Sequence, residues 1–207
     1  MKKVKVILSL AILGILISGF SKSKTSTEID YQFIEGKTLS TVLTEEESNF
    51  EEVNIPFVGK TFTGFKEALA FKESQGKYFV VNSLGYLGKY QFGKTTLERF
   101  RIYNTNHFLY NPQLQEDAFI ALCSLNKWIL RKDIKRSVGK VINGIEITES
   151  GILAAAHLAG AGNVKKFLRS NGKRCFKDAF GSSIQHYLVQ FSGFDTSFIE
   201  ASRKPVL

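Results

Sequence analysis

The chain has 207 residues, 43% of them apolar and 18 of them Phe, which supports one aromatic-rich core and excludes a disordered or collagen-like polymer. Two cysteines exclude a disulfide-built scaffold. The formal net charge of +9 favours polyanionic partners, with nucleic acid, anionic lipid and the acidic bacterial wall all in view.

At the N-terminus Lys2, Lys3 and Lys5 precede an uncharged apolar run over residues 6–20, with Ser18, Gly19 and Ser21 at its end. This layout is that of a secretory signal peptide, expected over residues 1–21, and the run is short for a spanning helix. The alternative is an uncleaved N-terminal anchor, the one membrane contact expected. No Cys follows the run, so lipid attachment there is excluded. The chain is therefore expected to be exported, to the periplasm, cell envelope or medium, which removes nucleic acid from the expected partners. Export also permits a Cys123–Cys175 disulfide, although two unrelated thiols fit the sequence equally well.

Residues 22–55 are rich in Ser, Thr, Glu and Lys without sustained periodicity, and read as a polar linker or extension. From Pro56 the texture becomes apolar-periodic with Gly punctuation, so residues 56–207 are expected to form the folded, monomeric domain. A helix is predicted over residues 64–74, with Phe65, Ala68, Leu69 and Lys72 at helical spacing and Gly76 as its stop. Residues 78–92, rich in aromatic and β-branched side chains and broken by Gly85 and Gly88, predict extended structure and turns. A short helix is predicted over residues 95–103. The clearest helix covers residues 113–131, with Leu114, Ala118, Ala121, Leu125 and Trp128 as its stripe, and is the expected central core helix. Three more are predicted: an Ala-rich helix over residues 148–158 ending at Gly160, one over 163–170 capped by Asn163 and stopped by Gly172, and one over 183–191. Ile184, Leu188 and Phe191 are expected to face inward on the last, and Gly193 to end it. The expected class is α+β, helix-dominated, with a small extended or β region.

Most acidic residues fit a solvated or helix-start role. Glu116 and Asp117, for example, lie early in the long helix, where the dipole favours them. Glu73 differs. It closes its helix, near Phe71, Tyr78 and Phe79, and both a helix C-terminus and apolar neighbours favour a protonated carboxyl, the form that glycosidic cleavage uses. By these residues alone an exposed helix-end Glu beside Lys72 remains the simpler description.

The local motifs change that balance. Lys72-Glu73-Ser74-Gln75-Gly76 resembles the Glu-Ser-x-Gly signature of lytic transglycosylases and goose-type lysozymes. Gly88-Lys89-Tyr90-Gln91-Phe92 resembles that family's Gly-Leu-Met-Gln-(Ile/Val) segment, and Ala156-His157-Leu158-Ala159-Gly160 its Ala-Tyr-Asn-Ala-Gly segment. The stretch from Gly181 through Tyr187 to Phe194 is similar to the closing helix of phage-type and bacterial members. The resemblance implies a lysozyme-like fold over residues 64–194 and makes Glu73 the catalytic acid/base. It also implies a substrate-binding set of Ser74, Tyr90, Gln91, His157, Gly160 and Tyr187. The chain departs from the pattern at Tyr90, His157 and Leu158, where Met, Tyr and Asn are usual. His157 therefore has two readings, a donor to the acid or the sugar, or a satisfied core residue, and Tyr187 likewise, a cleft hydroxyl or core packing.

Two-carboxylate glycosidases flank the scissile bond with a pair of acids. No Asp or Glu occurs between Glu73 and Glu98. The expected activity is that of a one-acid lytic transglycosylase, cleaving the bond from N-acetylmuramic acid to N-acetylglucosamine and leaving 1,6-anhydromuramic ends. Asp117, Asp133 and Glu149 keep hydrolysis, as in a muramidase, open as an alternative. A non-catalytic wall-binding module is a third reading. Lys89, Lys165, Lys166, Arg169, Lys173 and Arg174 either meet muramyl-peptide carboxylates or form a solvated face. Tyr78, Tyr86 and Tyr90, where exposed, are candidates for stacking on sugars. His107, His157 and His186 lack metal-ligand spacing, so neither a metal nor a cofactor is expected.

Overall fold

The computed structural model describes residues 58–207, and the expected signal peptide and linker lie outside the described residues. Seven helices and one small hairpin follow in chain order: α1 (Phe62–Ser74), α2 (Lys94–Arg99), α3 (Thr105–Leu109), α4 (Pro112–Ser137), β1 (Val141–Ile142), β2 (Ile145–Glu146), α5 (Glu149–Ala159), α6 (Ala161–Arg169) and α7 (Ile184–Gln190). The described residues are 51% helical with a two-stranded antiparallel sheet, the helix-dominated α+β class expected. None of the described helices is long and apolar enough to cross a membrane.

Local chemistry sets most helix ends. Side-chain oxygens of Thr61, Asn104, Asn111, Thr148 and Ser183 accept the otherwise orphaned N–H groups that open α1, α3, α4, α5 and α7. α1 ends at Gln75 in the left-handed region, φ 58°, and its N–H returns to Phe71 O. Asn163 does not cap α6. Its amide donates to Ala159 O at 2.9 Å, closing the helix before it, and Gly160 stands at the α6 N-terminus. Two elements lie beyond the expected ones: α3, and the hairpin turned by Asn143 and Gly144, both at positive φ as a tight hairpin turn requires.

The core helix is α5 rather than α4. Ser150 to Ala156 are buried without interruption, because small and apolar residues on every side of this helix let α4, α6 and α7 pack around it. Of the stripe expected on α4, Ala118 and Ala121 are buried, and the buried face extends beyond it to Gln115, Phe119, Leu122, Asn126, Leu130 and Asp133. Leu114, Leu125 and Trp128 are half-buried, and Arg131 and Arg203 cover the Trp128 ring. Ile184, Leu188 and Phe191 are buried as expected. Phe65 of α1 joins the helices by meeting Phe119, Phe191 and Phe194 with centroids 5.9–6.4 Å away. Burial of each such ring is worth about 1.5–3 kcal/mol. This packing presents the end of α1 to the middle of α7.

Candidate active site

A cleft of about 370 Å³ opens where the α1 C-terminus, the 82–91 loop, the end of α5 and the 176–180 loop meet. Glu73, Asn82, Tyr86, Gln91, His157 and Asp178 are its polar walls, with Leu84, Leu158, Phe176 and Phe180 as apolar ones. Glu73 is half-buried, and the Tyr187 hydroxyl donates to its Oε1 at 2.7 Å. Burial, reinforced by the negative charge of Glu73, pushes the Tyr187 phenol well above its ordinary pKa, so it stays a proton donor. Among the described residues Oε2 of Glu73 has no partner, which leaves it as the oxygen able to carry a transferable proton. Phe71, Tyr78 and Phe79 do not surround Glu73 as expected. Phe71 points to solvent, Phe79 stacks on Tyr110, and the Tyr78 hydroxyl turns to Glu116.

The 88–92 turn ties the acid helix to α5. Ser74 Oγ donates to Lys89 O at 2.8 Å, and His157 Nε2 lies 2.8 Å from Tyr90 O. A carbonyl only accepts, so His157 carries its proton on Nε2 and leaves Nδ1 buried without a partner. Gln91 sits at φ 51°, a left-handed conformation that costs a side-chain-bearing residue about 1–3 kcal/mol, and its amide Nε2 donates to Gly88 O. Gly88, at φ +74°, admits no side chain, since a Cβ there would stand 2.2 Å from Gln115 Oε1. That Oε1 accepts the Lys89 N–H, while the same amide donates to Phe108 and Leu109 carbonyls.

The expected substrate set is therefore divided. Gln91 and His157 line the cleft, and Tyr187 touches the acid. Ser74 stands beside Glu73 but spends its hydroxyl on the 88–92 turn. Tyr90 is excluded from substrate contact: its side chain is fully buried, stacked 4.1 Å from Phe119, with its hydroxyl donating to Glu116 Oε2 at 2.8 Å. Gly160 caps α5 away from the cleft lining. Of the tyrosines considered for sugar stacking, Tyr86 alone is both exposed and at the cleft, because Tyr78 joins Tyr90 in the Glu116 cluster.

Several charged residues also take other places. Lys89 is not a surface cation. It is buried, and its ammonium meets Glu67 at 2.8 Å and Glu116 at 2.9 Å, while Lys66 holds the second oxygen of Glu116 at 2.7 Å. Burial alone would lower the Lys89 pKa, but the hydrogen bonds it donates to Glu67 and Glu116 reverse this and hold it above its usual range. Arg169 serves Asp133 rather than a ligand. Asp117 and Glu149 accept from Gln113 and Lys127, so none of the three alternative acids lines the cleft. Asp178 does, and the sequence reading passed over it. Its local signal is a turn: Asp178 Oδ1 accepts from Phe180 and Ser182, followed by Gly181 at φ +85°. Cys123 is buried, Cys175 is exposed, and they are not paired. Among the described residues no cluster of His, Cys, Asp and Glu has the makings of a metal site.

Comparison with protein-family models, with curated proteins and with solved structures finds no match for this chain. The reading of the site rests on its own chemistry.

Proposed function

We propose that this chain is a glycan-cleaving enzyme of lysozyme-like type, acting outside the cytoplasm on peptidoglycan strands. The particular activity is that of a lytic transglycosylase on the β-1,4 bond from N-acetylmuramic acid to N-acetylglucosamine. The observation that carries it is Glu73 on the wall of a cleft, with a buried tyrosine hydroxyl on one oxygen and the other oxygen free.

Glu73, protonated on Oε2, gives its proton to the glycosidic oxygen as the C1–O bond breaks, and the bonding pair leaves with N-acetylglucosamine. The carboxylate so formed is steadied by the Tyr187 O–H. It then takes the proton of the muramic acid C6 hydroxyl as that oxygen bonds to C1. The product is a 1,6-anhydro ring, no water is consumed, and Glu73 returns to its starting form. Tyr86 at the cleft mouth offers a face for a sugar ring, and Asn82 and Gln91 offer amides for its hydroxyl and acetamido groups.

Mass spectrometry of muropeptides released from purified sacculi tests this. Anhydromuramic ends are expected, and Glu73→Gln is expected to release none. Reducing ends assign a hydrolytic muramidase instead, and retention on sacculi without release assigns a binding module. Digestion by Glu73→Gln at the parental rate removes Glu73 from the chemistry.

A further inference from the structure

Asp178, in the loop between α6 and α7, shares the cleft with Glu73. Backbone groups fix its carboxylate: Oδ1 accepts the N–H of Phe180 at 3.0 Å and of Ser182 at 2.7 Å, and the Asp178 N–H returns to Ser182 O at 2.9 Å. Among the described residues Oδ2 has no donor and no cation within salt-bridge distance, even though Lys177 also lines the cleft. This sets Asp178 apart from Glu116, Asp133 and Glu149, each of which is matched by a lysine or arginine. The cleft it faces mixes polar and apolar walls and is open to a ligand whose positive charge would complete the free oxygen. Glycosidic cleavage creates such a charge at the anomeric carbon, where the transition state is oxocarbenium-like.

We propose that Asp178 is a second catalytic carboxylate, which stabilises the positive charge that develops as Glu73 protonates the leaving oxygen. This rests on the glycan-cleaving reading above. No bond forms between Asp178 and the sugar. Its role is electrostatic: two backbone N–H groups hold one oxygen in place, and the other oxygen is left free in the cleft that Glu73 also lines.

Asp178→Asn separates charge from shape, since the amide oxygen can accept the same two N–H bonds and keep the turn. The variant is expected to lose about 100-fold or more in kcat on sacculi, in the range seen when one preorganised electrostatic partner is removed. KM, melting temperature and the end group of the product should stay as in the parent. Asp178→Glu, which restores the charge on a longer arm, is expected to regain part of the rate. Parental turnover by Asp178→Asn overturns the proposal, and so does a switch between anhydro and reducing ends, which would make Asp178 a director of water. An inactive Glu73→Gln beside a fully active Asp178→Asn sinks this proposal alone. A parent protein that releases nothing from sacculi, or an active Glu73→Gln, sinks the glycan-cleaving reading and this proposal with it.

Discussion

Replacing Glu116 by Gln tests whether the buried ionic cluster under the 88–92 turn stabilises the domain through charge. Glu116 receives Lys66, Lys89, Tyr78 and Tyr90, and Lys89 is 4% exposed, so without the Glu116 charge its ammonium keeps the more solvated Glu67 as its one anion beside the Tyr78 hydroxyl. Burial acts to raise the Glu116 pKa, and the hydrogen bonds from Lys66, Tyr78, Lys89 and Tyr90 outweigh it, lowering the value from 4.5 to about 2. At about 1.4 kcal/mol per unit such a shift corresponds to ~3 kcal/mol, or roughly 2 kcal/mol after allowance for partial solvation of the carboxylate. The folded pKa lies below the unfolded one, so this stability is fully present above about pH 4.5 and fades as pH falls toward about 2. Breaking a buried pair by removing one partner costs about 3–5 kcal/mol at neutral pH, and the charge-dependent part is included in that. Urea unfolding of the parent and of Glu116→Gln at several pH values measures the gap between them. The gap is expected to shrink by about 1–2 kcal/mol between about pH 6 and about pH 3, as the unfolded-state carboxyl takes up its proton. Comparing the two proteins cancels other titrating acids such as Asp133, whose arginine partners also hold its pKa low. A gap that is the same at both pH values would refute an electrostatic role and leave only shape.

Tyr187→Phe should lower turnover on sacculi by roughly 10- to 100-fold, the worth of a hydrogen bond to a charged group of about 1.5–3 kcal/mol, with little change in substrate affinity. Unaltered turnover would mean that the phenol does not serve Glu73. For the cysteines, a thiol reagent should titrate one group rapidly in the folded protein and two in denaturant. Cys175 is exposed, whereas burial pushes the Cys123 thiol up and hides it. Finding no titratable thiol without reductant would point to a disulfide and to a different arrangement of the 172–178 segment.

Much of this protein is decided within a few residues along the chain. The helix starts at Thr148 and Ser183, the end of α1 just after Glu73, and the α+β class follow from caps, left-handed turns and apolar spacing. These signals are short-range, because an orphan N–H is satisfied by the nearest side-chain oxygen. Asn163 shows how narrow the margin is, since the same amide can serve the helix before it or the one after.

Other features depended on partners that only folding brings together. The buried stripe of α4 carries Gln115, Asn126 and Asp133, which an apolar pattern reads as exposed. Gln115 is at home there because the backbone of the 88–92 turn and of α3 meets its amide, and Asp133 because arginines on α4 and α6 reach it. Tyr90 left the cleft for the same reason, as a buried hydroxyl follows its acceptor, and that acceptor, Glu116, lies on another helix. Glu73 could be singled out from its own neighbours in sequence. Tyr187 enters the sequence reading only through the resemblance and Asp178 not at all, because the phenol meets Glu73 and Asp178 joins its cleft only when α7 and the loop before it fold back across the end of α1. A carboxylate's place in a chain is local, but the charges and donors that give it a chemical task are set by tertiary contacts.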